Sequence, residues 1–598
     1  MSWLERAQRR DAALWAPALL AVGWMAFRLL EGLGLVWSLN PQYAYGWAVP
    51  VLCGYLAWQR WERARSETSS SVSPPGPSLV VVARPGTGPA ASEGSTSWPT
   101  VASGLCAGGL ALLYAAARLL QEANPWWSLV HWMLSLAFVG TVLWFLSGAG
   151  HLLRVRRGPG SRILDWRQFV FPVAFLLVAV PWPYTITEPV IQALARWNTT
   201  FTIEVLAWVG IPAVQHGNVI ELATGKVGVD EACSGIRSLQ GTLMLSLFFG
   251  EFYLLSVARR CALVGIGLGL ALTGNLERTL TLTMVAARRG EEAIAAWHDP
   301  AGVSILLFCC AGVWWAAHAL HRSTRPPPSP PRAPVTATQA SSAAPSDPQT
   351  QPDPVGVGPA ATRFTQRFGR AGMAWLLWVI LVDAGVAGWY RWTERDLTPG
   401  PDWELHWPSD APALQEVAMA KAARELLQYD EARQVRWNHV DGTSWQILFL
   451  RWAPGRAAGY LAKSHSPLVC MPAAGYPVES VSPVRLLPVE GLQLPYRLYR
   501  FGTEAGPVHV LYSRWDEGAA RQSFSHETAG PWSRLSSVWM GRGSRGQRVL
   551  VVAVWGIREL ETAEARLREE LAGRLRVKLR PSGNSTSATG RLGDGALD

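Results

Sequence analysis

The chain has 598 residues, of which 49% are hydrophobic and only 16% charged, and its formal net charge is +10. That balance argues against a water-soluble globular protein of this size and for a membrane class. The positive charge does not indicate a nucleic-acid partner, because the arginines sit in short clusters beside apolar runs and form no single basic face.

The N-terminus, MSWLERAQRR followed by a long apolar run, has no small-residue cleavage site and is expected to be kept as a first transmembrane helix. A spanning helix needs about 20 mostly apolar residues. Eight stretches meet or approach that before residue 322: Ala12 to Leu35, Ala44 to Trp58, Val101 to Leu120, Trp126 to Leu146, Phe169 to Trp182, Leu239 to Ala258, Cys261 to Val285 and Gly302 to Leu320. The second and fifth are short and marked by proline. Arginine clusters in short loops stay on the cytoplasmic side. Arg6, Arg9 and Arg10 therefore place the N-terminus inside, and counting crossings places the loops with Arg60, Arg63 and Arg65, with Arg154, Arg156 and Arg157, with Arg259 and Arg260, and with Arg322 and Arg325 inside as well.

Two stretches rich in Ser, Pro, Gly and Ala read as disordered and cytoplasmic: an insertion over 66–97 and a linker over 323–362. A ninth apolar helix, within 371–390, follows Arg363, Arg367 and Arg370 and is expected to carry the chain outward. Residues 391–580 then read as an extracytoplasmic α+β domain. An amphipathic stretch, Ala411 to Leu427, is expected to be helical, the runs SWQILFLRW, YRLYRF, VHVLYSRW and QRVLVVAVWGI to be strands, and ELETAEARLREELAGRL a final helix. Residues 581–598 form a polar tail. The expected fold class is a multi-spanning α-helical membrane protein, with eight helices in the core plus a ninth, carrying a C-terminal α+β domain.

Of seven cysteines, Cys53, Cys106, Cys261, Cys309 and Cys310 lie in apolar runs and read as packing residues. Cys233 differs. It lies in VDEACSGIRSLQGT, between an acid and a Ser-Gly pair, where the chain re-enters the membrane. A thiol at the N-terminus of a helix is acidified by the partial positive charge there, and the free N–H groups can bind an oxyanion. A thiolate peptidase also needs a proton carrier and a partner for the developing negative oxygen. At about 1.5 Å per residue Arg278 lies roughly 27 Å along its helix from the inner arginine pair, near the outer surface, and His298 stands just before the returning helix. The two are 45 and 65 residues beyond Cys233, yet the topology puts all three at one depth. Cys233, Arg278 and His298 are the candidate catalytic residues. Arg237 and Glu231 flank the cysteine and are not assigned a catalytic part. Acidic residues within the spans are scarce, Glu251 and Glu277 being the main ones, which speaks against a transporter.

EACSGIRSL, NLER and WHDPAG, with YGWAVP, FPVAFLLVAVPWP and EVLAWVGIPAVQHGNVIEL, together resemble the exosortase and archaeosortase family of membrane-embedded sorting enzymes over roughly Leu14 to Leu320. The resemblance implies that Cys233 is the nucleophile, Arg278 the essential arginine and His298 the histidine. It further implies substrates that are exported proteins ending in a Pro-containing motif, a transmembrane helix and a basic tail, cleaved through a thioester at the outer face of the cytoplasmic membrane. Where the family often carries His-Gly after the first helix, this chain has Tyr45-Gly46. HSPLVCMPAAGYPV resembles the domain found beside or fused to exosortases in exopolysaccharide loci, making the exopolysaccharide machinery a candidate partner. His465 and Cys470 in that stretch are either a second Cys–His pair or structural. No cofactor and no metal is expected, and membrane lipid surrounds the core. The alternative reading is a non-enzymatic scaffold of polysaccharide export with a glycan-binding C-terminal domain.

Overall fold

A computed structural model describes residues 3–70, 101–157, 165–228, 235–290, 293–323 and 359–395, and in the C-terminal part residues 402–409, 411–419, 424, 427–453, 462, 466–468, 471, 476–503, 506–517, 531–539 and 546–578. The chain divides into two compact units, 1–389 and 390–598. Most of the expected insertion, linker and tail, together with Glu231, Cys233, His465 and Cys470, lie outside the described residues.

The first unit is helical: α1 Trp3–Leu39, α2 Ala48–Ser70, α3 Val101–Ala123, α4 Ser128–Arg157, α5 Val170–Ala174, α6 Tyr184–Trp208, α7 Ile236–Phe252, α8 Val257–Arg289, α9 Ile294–Arg322 and α10 Pro359–Arg395. Six stretches among the described residues are long and apolar enough to cross a membrane, in α1, α3, α4, α8, α9 and α10. The protein is thus a multi-pass helical membrane protein. The short second and fifth candidates and the stretch starting at Leu239 are helical but do not reach that length and apolarity. The fifth breaks into 3-10 turns and the five residues of α5, because Pro172, Pro181 and Pro183 remove backbone donors.

The helices pack in both parallel and antiparallel pairs. Trp144 of α4 donates its indole N–H to Ser103 at the start of α3, 2.9 Å to Oγ, so these two run antiparallel. Helix α10 runs parallel to α1 and α3: Trp15 meets Phe368 at 4.6 Å between ring centroids, Gly372 lies against Ala18, and the Trp378 indole donates to the Ala111 carbonyl at 3.1 Å. Further along, Asp383 of α10 accepts from Arg118 Nε of α3 at 2.6 Å, from Arg28 Nε of α1 at 3.2 Å and from the Trp24 indole. Asp383 and Arg118 are only 8% and 3% exposed, so this is a buried ion pair inside the helix bundle. The sequence pass overlooked Asp383. Of the acids it singled out, Glu251 is held by Arg60 and Arg260 at the α7–α8 turn, and Glu277 is exposed.

Cys309 is buried, but Cys106 and Cys261 are exposed on helix surfaces, where they contact no protein core. In a bilayer such positions face acyl chains, which accept a small apolar side chain as readily as a protein interior does.

Between α6 and α7 the chain forms a three-stranded antiparallel meander, β1 Ala213–His216, β2 Val219–Leu222 and β3 Gly225–Gly228. The second unit is an antiparallel sheet in the order β5-β6-β7-β12-β11-β10-β8, with β9 paired to β10. Its strands are β5 Gln415–Glu416, β6 Glu431–Asn438, β7 Ser444–Trp452, β8 Val478–Val481, β9 Arg485–Val489, β10 Leu492–Phe501, β11 Val508–Asp516 and β12 Gln547–Trp555. β4 Asp402–Leu405 pairs with β13 Leu575–Lys578, and the helices are α11 Pro531–Trp539 and α12 Leu560–Arg574. The four runs expected as strands form β7, β10, β11 and β12, and the expected final helix is α12. Ile447, Leu511, Leu550 and Val552 pack on one face with Leu567 and Leu571 of α12, while Leu450, Val510, Tyr512 and Val549 pack on the other with Leu427 and Trp452. Both faces being covered explains why β11 is buried along nearly its whole length. The helix expected over Ala411 to Leu427 does not form at its start. Pro412 and the positive φ of Ala413 break it, and Gln415 and Glu416 pair with Arg436 and Val435 at the sheet edge.

Replacing Asp383 by Ala strands Arg118 inside the bundle, and the cost of breaking such a pair is about 3–5 kcal/mol. Denaturant unfolding of the full chain in detergent should register that loss, and an Asp383→Leu/Arg118→Met double variant should recover much of it. In the C-terminal domain burial opposes ionisation of Glu564, but donation from the Tyr496 hydroxyl at 2.6 Å and from Arg485 outweighs it and holds the carboxyl below its usual value. A depressed carboxyl stabilises above its unfolded pKa of about 4.3 and loses that contribution as pH falls through the folded value. Amide exchange of β10 and α12 should therefore accelerate below about pH 4, and Glu564→Gln should flatten that dependence.

Candidate active site

Helix α7 begins at Gly235, whose φ of +86° caps the helix in the left-handed region. A side chain there would be strained by that φ alone. It would also collide, since a Cβ at Gly235 would stand 2.7 Å from the Asn275 side chain of α8. Asn275 is buried and precedes Arg278 by one helical turn. The chain on the other side of 229–234 is held by α8 too. Thr224, in the turn between β2 and β3, donates to the Ala286 carbonyl at 3.0 Å, and Ile220, Leu222 and Val227 pack with Ala286 and with Ala195 and Leu206 of α6. Both flanks of the segment containing Cys233 are thus fixed to α8, one at Asn275 and one at Ala286, and Arg278 lies between those levels.

Helices α8 and α9 form an antiparallel pair, and its contact brings two of the three candidate residues together. Arg278 Nη2 is 2.8 Å from His298 Nε2. Gly302, four residues beyond His298 on the same face of α9, borders the guanidinium, whose Nη2 would be in ordinary contact, at 3.8 Å, with a Cβ built there. A guanidinium has only donors, so His298 Nε2 is the acceptor, and its neutral ring carries the proton on Nδ1. Behind Arg278, Thr279 Oγ1 accepts from Asn198 Nδ2 of α6 at 2.5 Å. His298 sits one turn inside α9 and not ahead of it, because the helix begins at Ile294. Arg237 is exposed on the first turn of α7. Cys233 lies outside the described residues.

Residues 37–315 match the family model described as Transmembrane exosortase (Exosortase_EpsH). The membrane part of this chain belongs to the exosortase family. No curated protein and no solved structure matches the chain. The exosortase match takes in Gly235, Asn275, Arg278 and His298, as well as the Cys233 segment, and stops short of α10 and the C-terminal domain.

Reading the sequence alone missed α6 and the meander, and with them the way the exosortase core grips the Cys233 segment from both ends. The signal available was the pair of glycines in QHGN and ATGK, each turn lying between short β-branched or apolar runs. It also missed Asn275, although NLER places an amide one turn from the arginine.

Gly235→Ala should loosen the first turn of α7, read as faster amide exchange over residues 236–240. Gly241→Ala, a helical site with nothing within 4 Å of its Cβ, should leave exchange unchanged or slow it, since Ala is favoured over Gly in a helix by roughly 0.5–1 kcal/mol.

Proposed function

We propose that this exosortase is a cysteine peptidase or transpeptidase that cleaves the C-terminal sorting signals of exported proteins, with Cys233, Arg278 and His298 as its reacting groups. The observation that carries the reading is the 2.8 Å contact between Arg278 and His298, made by α8 and α9, of which α8 also holds both flanks of the Cys233 segment. A protonated guanidinium against a neutral imidazole is a pair prepared for two separate tasks. When a substrate carbonyl enters, Arg278 turns its donors to the carbonyl oxygen and frees His298 Nε2.

His298 then takes the thiol proton as the Cys233 sulfur bonds to the carbonyl carbon, and the negative oxygen is held by Arg278 and the N–H groups at the start of α7. Collapse of this adduct breaks the C–N bond, and the leaving amine takes the proton from the imidazolium. The thioester that remains is released by water or by an acceptor nucleophile, so hydrolysis and transfer share the first half of the reaction.

The arginine clusters orient the chain with its N-terminus and the 324–358 linker in the cytoplasm, and the parallel α1, α3 and α10 with the antiparallel α4 agree with that orientation. In this orientation the site and the C-terminal domain face outward across the cytoplasmic membrane. The C-terminal domain then serves to engage the substrate or the exopolysaccharide machinery.

In cells expressing the full chain with a reporter ending in a Pro-containing motif, an apolar helix and a basic tail, Cys233→Ala should lower processing by roughly 10³-fold or more. Arg278→Ala should lower it by about 10²–10³-fold, the range for an oxyanion donor. His298→Ala, which removes both the acceptor of the thiol proton and the donor to the leaving amine, should lower processing by about 10²–10⁴-fold with no acyl adduct on Cys233 accumulating. Unchanged processing in Cys233→Ala would refute the assignment.

A further inference from the structure

Between α5 and α6 the chain runs without regular hydrogen bonding through Val180 to Pro183, and its backbone is completed by aromatic side chains. Tyr45 Oη donates to the Val178 carbonyl at 3.0 Å, Trp37 Nε1 to Ala179 at 2.9 Å and Trp132 Nε1 to Pro181 at 3.0 Å, while Trp182 N–H donates to Tyr43 Oη at 3.2 Å. Irregular backbone within a membrane domain persists where it is buried in protein or lines a cavity. Here it lines one: a cavity of about 210 Å³ bounded by Tyr45, Trp132, Val178, Trp182, Gln240 and Leu243.

Gln240 is 1% exposed, and its Oε1 accepts from Gln42 Nε2 at 3.2 Å, while its own Nε2 has no partner. A buried amide donor left unspent is destabilising, and a ligand that supplies an acceptor removes that cost. The cavity is smaller than the roughly 300–1,000 Å³ of pockets that take drug-sized molecules, so it suits one side chain with its adjoining backbone. Gln240 lies five residues beyond Gly235 on α7, about 7.5 Å along the helix axis. An extended peptide covers that in two or three residues at about 3.3 Å each.

We infer that this cavity is a substrate subsite: it takes one apolar side chain, two or three residues from the scissile bond, and Gln240 Nε2 donates to a backbone carbonyl beside it. The inference rests on the proposed peptidase reading for the position of the scissile bond. The occupant is a peptide and not an acyl chain because an acyl chain offers no acceptor to Gln240.

The test is photo-crosslinking in the full-length Cys233→Ala protein, in detergent, where binding is read without turnover. The probe is a peptide carrying the Pro-containing motif, apolar helix and basic tail, with a diazirine-bearing leucine moved one position at a time through the motif. Crosslinks to residues 177–182 or to Leu243 from one or two adjacent positions support the subsite. Leu243→Trp, which fills it, and Gln240→Met, which removes the donor at similar volume, should each cut the yield about 10-fold, the lower end for changes in a side-chain pocket. Crosslinks confined to other regions, yields unmoved by both variants, or labelling of the cavity by a diazirine phospholipid in place of the peptide would each overturn it. Retained cleavage by Cys233→Ala would instead refute the nucleophile assignment, and the crosslink map would still decide the cavity.

Discussion

Inside a bilayer no water is available to pair with a stray backbone group, so every departure from helix must be closed by protein atoms. Two of the described departures from helix in the membrane unit are closed by side chains from surrounding elements. At 178–182 the closers are the tyrosines and tryptophans of the 41–47 turn, α1 and α4. At the α7–α8 turn they are arginines, Arg63 donating to the Phe252 carbonyl and Arg260 to that of Leu255 at 2.8 Å. Gly46 belongs to the same device, since it packs directly against the Trp37 indole and any side chain there would displace it. Trp37, Trp132 and Tyr45 thus serve as hydrogen-bond donors within the fold.

The charges follow a related logic. Among the described residues of the membrane unit two carboxylates are buried, Glu251 and Asp383, and each faces two arginines. Replacing such groups with apolar side chains is often neutral or stabilising, so their value lies less in energy than in choosing a single packing partner. Glu251 ties α2 and α8 to the end of α7, at the opposite end of α7 from Gly235. Asp383 ties α10 to α1 and α3. A helix with an otherwise uniform apolar surface gains from these contacts a defined rotation and height against its neighbours.

Much of the architecture was legible in the sequence because its signals are local. Apolar length gave the long helices, alternation gave β7, β10, β11 and β12, and the motifs around Cys233, Arg278 and His298 carried the family. What was not legible is cooperative. Asp383 lies in a run that reads as uninterrupted membrane helix, and its arginines stand 265 and 355 residues away. The strand at Gln415 could not be told from a helix, because Ala413 takes a positive φ that only the finished sheet edge explains. The Arg278–His298 contact was anticipated as a common depth, yet depth does not specify which ring nitrogen meets the guanidinium.

The Asp383 cluster also bears on how the protein is made. Synthesis proceeds from the N-terminus, so α1 and α3 are inserted with Arg28 and Arg118 long before α10 leaves the ribosome. During that interval Arg28 keeps Glu31 of its own helix at 3.0 Å, but the Arg118 guanidinium lacks the carboxylate that neutralises it in the finished fold, at a cost that favours exposure to water or to a chaperone. Arrival of α10 ends it. Helix α10 is therefore both the covalent link to the C-terminal domain and the piece that completes this part of the helical core's electrostatics, and a chain cut within 324–358 lacks it.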